Sequence, residues 1–173
     1  MNKTIYIILL LFISTVGLRA QQVYEHQFIV KVGDRAPDFE VELSDGSIFK
    51  LSEQHGKVVM LQFTASWCSV CRKEMPYIEK DIWQELKAKD FIVIGMDYKE
   101  SSDKVKAFAK QMKISYPLAL DTTGAAYHLF SEEGSGVTRN VIIDKNGEII
   151  FLSRLFNLKE FEEMKAVIFK AVE

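Results

Sequence analysis

The chain has 173 residues, 48% of them apolar and 27% charged, with a formal net charge of −2. That length supports one ordinary domain with a proper core and is short for two, and the composition lies far from the disordered class. Without a basic excess there is no electrostatic footprint for nucleic acid or for an anionic membrane surface.

Taken in chain order, residues 1–20 read as a secretory signal peptide. Lys3 supplies a short positive start, residues 5–16 are apolar except for Tyr6, Ser14 and Thr15, and Leu18-Arg19-Ala20 offers a cleavage site. The apolar run is shorter than the roughly 18–20 residues of a spanning helix. An uncleaved membrane anchor is the alternative, because Leu18 is large for its place before the cut. Residues 21–31 form a leader, and residues 32–173 are read as a single domain, without repeats or proline-rich linkers.

Within that domain, Phe39, Val41 and Leu43 alternate toward one face, Ser44-Asp45-Gly46-Ser47 is a turn, and Ile48, Phe49 and Leu51 return, which predicts a β-hairpin. Residues 58–63 are a near-continuous apolar run of buried-strand type. A helix is predicted over 72–89, where Met75, Ile78, Ile82 and Leu86 recur every three or four positions and Pro76 is expected to kink the axis. Further on come a strand at 91–96, a helix at 103–112, a short strand at 117–120 and a short helix through Ala125, Ala126, Leu129 and Phe130. Residues 131–136 form a glycine-containing loop. Val141-Ile142-Ile143 and residues 149–152 are strands joined by the turn Asp144-Lys145-Asn146-Gly147, and an amphipathic helix at 158–172 ends the chain. Strands separated by helices, then a hairpin and a last helix, indicate an α/β sandwich around a mixed sheet.

Cys68 and Cys71 are the two cysteines of the sequence. A bridge between them closes so small a loop that it removes little entropy from the unfolded chain, which makes it a poor staple. Their chemistry is the better reason for their presence. A dithiol enzyme needs one thiolate to attack a substrate disulfide and a second thiol near enough to resolve the mixed disulfide. Placing Cys-x-x-Cys at a helix start meets both needs, because one turn brings the sulfurs together and the free amides stabilise a thiolate on the first cysteine. Cys68 is therefore read as the nucleophile and Cys71 as the resolving thiol. Structural zinc normally takes four protein ligands; here a second Cys-x-x-Cys is lacking, and His26, His55 and His128 are scattered without ligand spacing, so no metal is expected.

The segment Phe63-Thr64-Ala65-Ser66-Trp67-Cys68-Ser69-Val70-Cys71-Arg72-Lys73-Glu74-Met75-Pro76 resembles the active site of thioredoxin-like proteins, and most of all the TlpA/ResA branch of exported thiol–disulfide oxidoreductases. Gly33-Asp34-Arg35-Ala36-Pro37-Asp38-Phe39 and Val141-Ile142-Ile143-Asp144-Lys145-Asn146-Gly147-Glu148-Ile149 fit the same branch, and the likeness runs from about Val32 to the C-terminus. It implies a thioredoxin-like fold, with a mixed central β-sheet flanked by helices and an N-terminal β-hairpin extension. It further implies that Trp67 offers a partner-contact surface and that Glu74, in the branch's Glu-x-Pro element, handles protons for Cys71; a solvated helix glutamate is the alternative. Gln62 stands where thioredoxin carries a buried aspartate, so that proton acceptor is absent. Arg72 and Lys73 are read as solvated charges. The family's cis-proline is replaced by Thr138, so the Val137–Thr138 bond is either cis at a cost of about 2.5–4 kcal/mol or trans in a loop of different shape. Val137, Thr138 and Arg139 are then the substrate-facing loop, with Arg139 either touching an acidic partner, steadying a thiolate or lying on the surface.

Three functions remain in view. The first is disulfide exchange with exported proteins, most of all as a reductant. The second is a peroxiredoxin-like thiol peroxidase, whose Thr-x-x-Cys arrangement is out of register here because Ala65, not Thr64, stands three residues before Cys68. The third is a non-enzymatic redox-fold module. No flavin, nicotinamide or metal motif is visible, so no cofactor is expected and electrons are expected from a membrane thiol donor. The expected location is the periplasm, or the outer face of the membrane if the signal is kept.

Overall fold

The computed structural model describes residues 27–173. The predicted signal peptide and most of the leader lie outside the described residues. A five-stranded sheet in the order β5-β4-β3-β6-β7 is the centre of the molecule. Its strands are β3 (Val58–Thr64), β4 (Phe91–Tyr98), β5 (Leu118–Asp121), β6 (Arg139–Ile143) and β7 (Ile149–Arg154). Strands β3, β4 and β5 run parallel, while β6 is antiparallel to both β3 and β7. The predicted hairpin forms a separate two-stranded sheet, β1 (Glu40–Glu42) and β2 (Ile48–Lys50). It lies along the β5 edge through a Leu43–Ala119 bridge.

The two-residue period of a strand sends alternate side chains to opposite faces. On β3, Val58 and Met60 join one core, and Val59, Leu61 and Phe63 join the other. The first core holds the apolar sides of all three long helices, α1 (Ser69–Ile78), α2 (Ser102–Met112) and α3 (Leu158–Val172). The second is closed by the hairpin, by Phe28 of the leader, and by Tyr127 and Phe130 around a 3₁₀ turn, Tyr127–Leu129. Both faces are thus covered, as the buried parallel strands β3 and β4 require, although the long helices all lie on one of them.

Several boundaries differ from the sequence reading. The helix expected from residue 72 begins at Ser69, because Cys68 itself serves as its N-cap. The α-helix is not interrupted at Pro76. It runs through that residue to Ile78, widens into a π-helical stretch, Glu79–Trp83, and finishes in a turn, Gln84–Leu86. Proline removes an amide from the ladder, and one helical turn on, the Glu79 amide is shared between the Met75 and Pro76 carbonyls. The helix expected at 125–130 shrinks to the 3₁₀ turn, held where Asp121 accepts from the amides of Ala126 and Tyr127.

Candidate active site

Strand β3, central in the sheet, ends at Thr64, and α1 starts a few residues beyond. There Cys68 caps the helix in an extended conformation, its sulfur accepting from the Cys71 amide at 3.2 Å. An N-cap group satisfies an amide that the helix itself cannot, and the helix dipole adds to the effect. Both thiols are free; Cys68 keeps 7% of its surface exposed and Cys71 none. The Cys68 thiol is pulled down to about 5, mainly by a hydrogen bond from the Cys71 thiol, then by the Thr138 hydroxyl and by the amides of Cys71 and Val70, against the opposing effect of burial. Cys71 is pushed up, because its proton is held by Cys68 and because it is buried. One sulfur is therefore a thiolate at neutral pH and its neighbour a thiol.

Beneath α1, a polar network replaces the apolar core. Glu74 is buried and accepts from Gln62 Nε2 at 3.0 Å and from Asn140 Nδ2 at 2.7 Å. Gln62 in turn accepts from the Tyr116 hydroxyl at 2.8 Å, and Asn140 also donates to Ser153 Oγ. Gln62 and Asn140 are register partners on β3 and β6, so both face the helix. Gly95 leaves room above all for Leu118, and beside it for the Tyr116 ring: a Cβ there would lie 2.2 Å from Leu118 and 3.3 Å from the Tyr116 ring. Burial pushes the Glu74 carboxyl up to about 7, although its two hydrogen bonds pull the other way. The solvated alternative for Glu74 is thereby overturned.

The strand leading into Cys68 is clamped on both sides. Glu100 accepts from the Ser66 amide at 2.5 Å and from Ser66 Oγ at 2.7 Å, while Arg72 Nε donates to the Ser66 carbonyl at 2.7 Å. Arg72 also reaches Gln111 Oε1 and lies over the Phe108 ring, both on α2, so it is not the solvated charge expected. Trp67, between the clamp and the nucleophile, is 62% exposed. Behind Glu100 sits Asp97, wholly buried, whose carboxylate oxygens meet no donor among the described residues. Burial, and then the Glu100 charge, push Asp97 up to about 8.

Opposite the sulfurs, the Val137–Thr138 peptide bond is cis. Val137 is half-buried and packs with Ala65 and the two cysteines, while Thr138 is buried with its Oγ1 3.2 Å from Cys68 Sγ and 3.0 Å from Cys71 Sγ. Arg139 does not join them. It is fully buried on the other face of the sheet, stacked over the Phe28 ring, with Nε on the Gly136 carbonyl and Nη2 on the Ser135 carbonyl. Neither the substrate-touching nor the surface reading of Arg139 holds, because strand alternation sends its side chain away from Asn140 and behind the loop. Cys68, Cys71, Trp67, Val137 and Thr138 thus share one locus and Glu74 lies under it. Tyr116, Asn140, Asp97 and Glu100 were missed. Their signal was a polar residue within or just beyond an apolar strand run, as at Asp97.

Residues 31–168 match the Redoxin family model. The chain is 32% identical over 145 residues to the thiol–disulfide oxidoreductase ResA of Bacillus thuringiensis subsp. konkukian, covering 83% of this chain and 82% of that protein. Among solved structures, it is similar to a putative protein disulfide isomerase from Bacteroides thetaiotaomicron, with 49% identity, a TM-score of 0.82, and coverage of 84% of this chain and 92% of the other. It is also similar to a putative thiol:disulfide interchange protein DsbE from Chlorobium tepidum, with 29% identity, a TM-score of 0.74, and coverage of 83% and 99%.

Proposed function

Because the chain belongs to the Redoxin family and is a thiol–disulfide oxidoreductase of thioredoxin-like fold, we propose that it acts outside the cytoplasm as a reductant of disulfides in exported proteins. The observation that carries the exchange itself is geometric: the Cys68 sulfur caps the helix, accepting from the Cys71 amide at 3.2 Å, with the free Cys71 thiol buried one turn away; the direction of flow follows from the likeness to the TlpA/ResA branch. With Cys68 as a thiolate the reduced protein is ready to attack. Cys68 displaces one sulfur of a substrate disulfide and forms a mixed disulfide. Cys71 then attacks the Cys68 sulfur and releases the second substrate sulfur, leaving the Cys68–Cys71 disulfide. Glu74, poised at about 7, takes the proton that Cys71 must lose. Trp67 and Val137 flank the sulfurs and form the surface on which a substrate strand rests.

The oxidised pair is reduced again by a thiol donor, which we place in the membrane. Residues 1–20 have the layout of an export signal, cleaved to free the domain in the periplasm or kept as an anchor at the outer face. The reduction potential tests the direction of flow. Equilibrated against defined thiol–disulfide buffers with thiol trapping, a reductant reads about −250 mV or lower, whereas about −120 to −180 mV marks an oxidase or isomerase. If no Cys68–Cys71 disulfide forms at any poise, the exchange mechanism is wrong.

A further inference from the structure

Where the resemblance led us to expect proline, this chain places a hydroxyl between its two reactive sulfurs. Thr138 Oγ1 is within hydrogen-bond distance of both, at 3.2 Å from Cys68 Sγ and 3.0 Å from Cys71 Sγ, and the residue is wholly buried. A hydroxyl has one proton to donate and two lone pairs with which to accept. In the reduced protein the charge sits on Cys68, so the hydroxyl proton goes there. The Cys71 thiol, whose proton is drawn to Cys68, lies within reach of the same oxygen. The Cys71 S–H and the Thr138 O–H then both point at the Cys68 sulfur.

The first displacement reverses the demand. Once Cys68 is bonded to a substrate sulfur it carries no charge and is a weak acceptor, while Cys71 must become the nucleophile. Rotation about the Cβ–Oγ1 bond alone redirects the proton to Cys71, without any movement of backbone or ring. We propose that Thr138 is a catalytic residue whose hydroxyl donates in turn to whichever sulfur is the thiolate, Cys68 before the first displacement and Cys71 before the second.

The balance leaves Thr138 unchanged. The dithiol loses two electrons and becomes a disulfide; the substrate disulfide gains them and departs as two sulfur groups, one of which receives the Cys71 proton by way of Glu74. The Thr138 hydrogen bond favours the ionised form of both thiols, as this double role requires. A hydrogen bond to a charged group is among the stronger single interactions available to a buried site.

The inference rests on the exchange mechanism proposed above, and the test separates the two. Thr138→Val keeps the shape and removes the hydroxyl; Thr138→Ser keeps the hydroxyl. The ionisation of Cys68 is followed by thiolate ultraviolet absorbance, and the potential by thiol trapping. In the Val variant the Cys68 pKa is expected to rise by about 1 unit, a tenfold loss of thiolate stability. Since the reduced form loses that stabilisation, the potential falls by about 30 mV. Mixed disulfide with a peptide substrate should decay roughly tenfold more slowly in single-turnover quench experiments. The Ser variant should restore all three readings. If Val does not fold, the Thr138→Ser and Thr138→Ala pair, which differ by one oxygen, carries the same comparison. A folded Val variant with unchanged Cys68 titration, potential and decay would overturn the proposal, as would a Ser variant as impaired as Val. Failure of the wild-type chain to form the Cys68–Cys71 disulfide would instead overturn the exchange mechanism itself.

Discussion

Glu74 is a carboxyl group in a place that disfavours its charge, yet two amide donors hold it there. Burial dominates and its pKa stands near 7, so near neutral pH it can both take and give a proton, the condition for efficient general base work. Glu74→Gln keeps the volume and removes the titration. The variant is expected to accumulate mixed disulfide, with Cys71 attack slowed on the order of 10²-fold and the pH-dependence of that step near 7 abolished. Quenched single-turnover reactions across pH measure both; an unaltered profile would remove Glu74 from the mechanism. Glu74, Trp67 and the cysteines were legible in sequence because they lie in one continuous segment on the strand-to-helix junction. The partners of Glu74 were not. Gln62 and Asn140 come from β3 and β6, with Tyr116 behind Gln62 on the approach to β5, and only the register of Gln62 against Asn140 brings the two under the helix. Arg139 was misread for the same reason, since which side of the sheet it faces depends on the strand's register.

The element that the chemistry depends on is the first turn of α1, and its position is set from outside. Ser66 is gripped by Glu100 at its amide and hydroxyl and by Arg72 at its carbonyl, which fixes the approach of the chain to Cys68. Glu100 also bonds Lys104 of α2. Asp97 adds a second carboxyl beside it, and burial together with the Glu100 charge favours its protonated form. The sign of its effect on stability follows from linkage. Asp97 ionises near 3.8 when unfolded and near 8 when folded, so folding takes up a proton between those values and stability falls as pH rises through that window. Asp97→Asn removes the titrating group. It is expected to stabilise the protein by about 2 kcal/mol at neutral pH and to have little effect near pH 4. Urea denaturation at the two pH values checks this, and an equal effect at both would mean that Asp97 does not titrate as described. Helix periodicity found the body of α1 but not its ends. Its start depends on a cysteine acting as a cap, and its far half widens after Pro76 into a π-helical stretch that keeps Ile82 and Leu86 in the core. Apolar spacing reports which face is buried, and is silent on how the backbone hydrogen bonds shift to keep it so.

At the scale of the whole molecule, redox state and stability are linked through one thiol. The titration of Asp97, on which neither cysteine acts, cancels in the difference between reduced and oxidised forms, and that of Glu74 does so only in part, because the Cys68 charge helps to raise it. The Cys68 thiol does not cancel, because it exists only in the reduced form. Its folded pKa, about 5, lies below the ordinary thiol value of 9.0. A group with a depressed folded pKa contributes stability that is complete above its unfolded value and is lost as pH falls through its folded value. Cys71, raised above 9.0, is protonated both folded and unfolded within that window and adds nothing to the slope. The reduced protein should therefore gain on the oxidised one as pH rises from about 5 to 9, by at most about 1.4 kcal/mol per pH unit. Paired denaturation of the two forms at both ends of the window measures the gain. A difference independent of pH would mean that Cys68 ionises as an ordinary thiol, and the helix N-terminus would then lose its place in the argument. A gain of the expected sign would tie the potential of the pair to pH, because whatever stabilises the folded dithiol over the folded disulfide also draws electrons onto the protein.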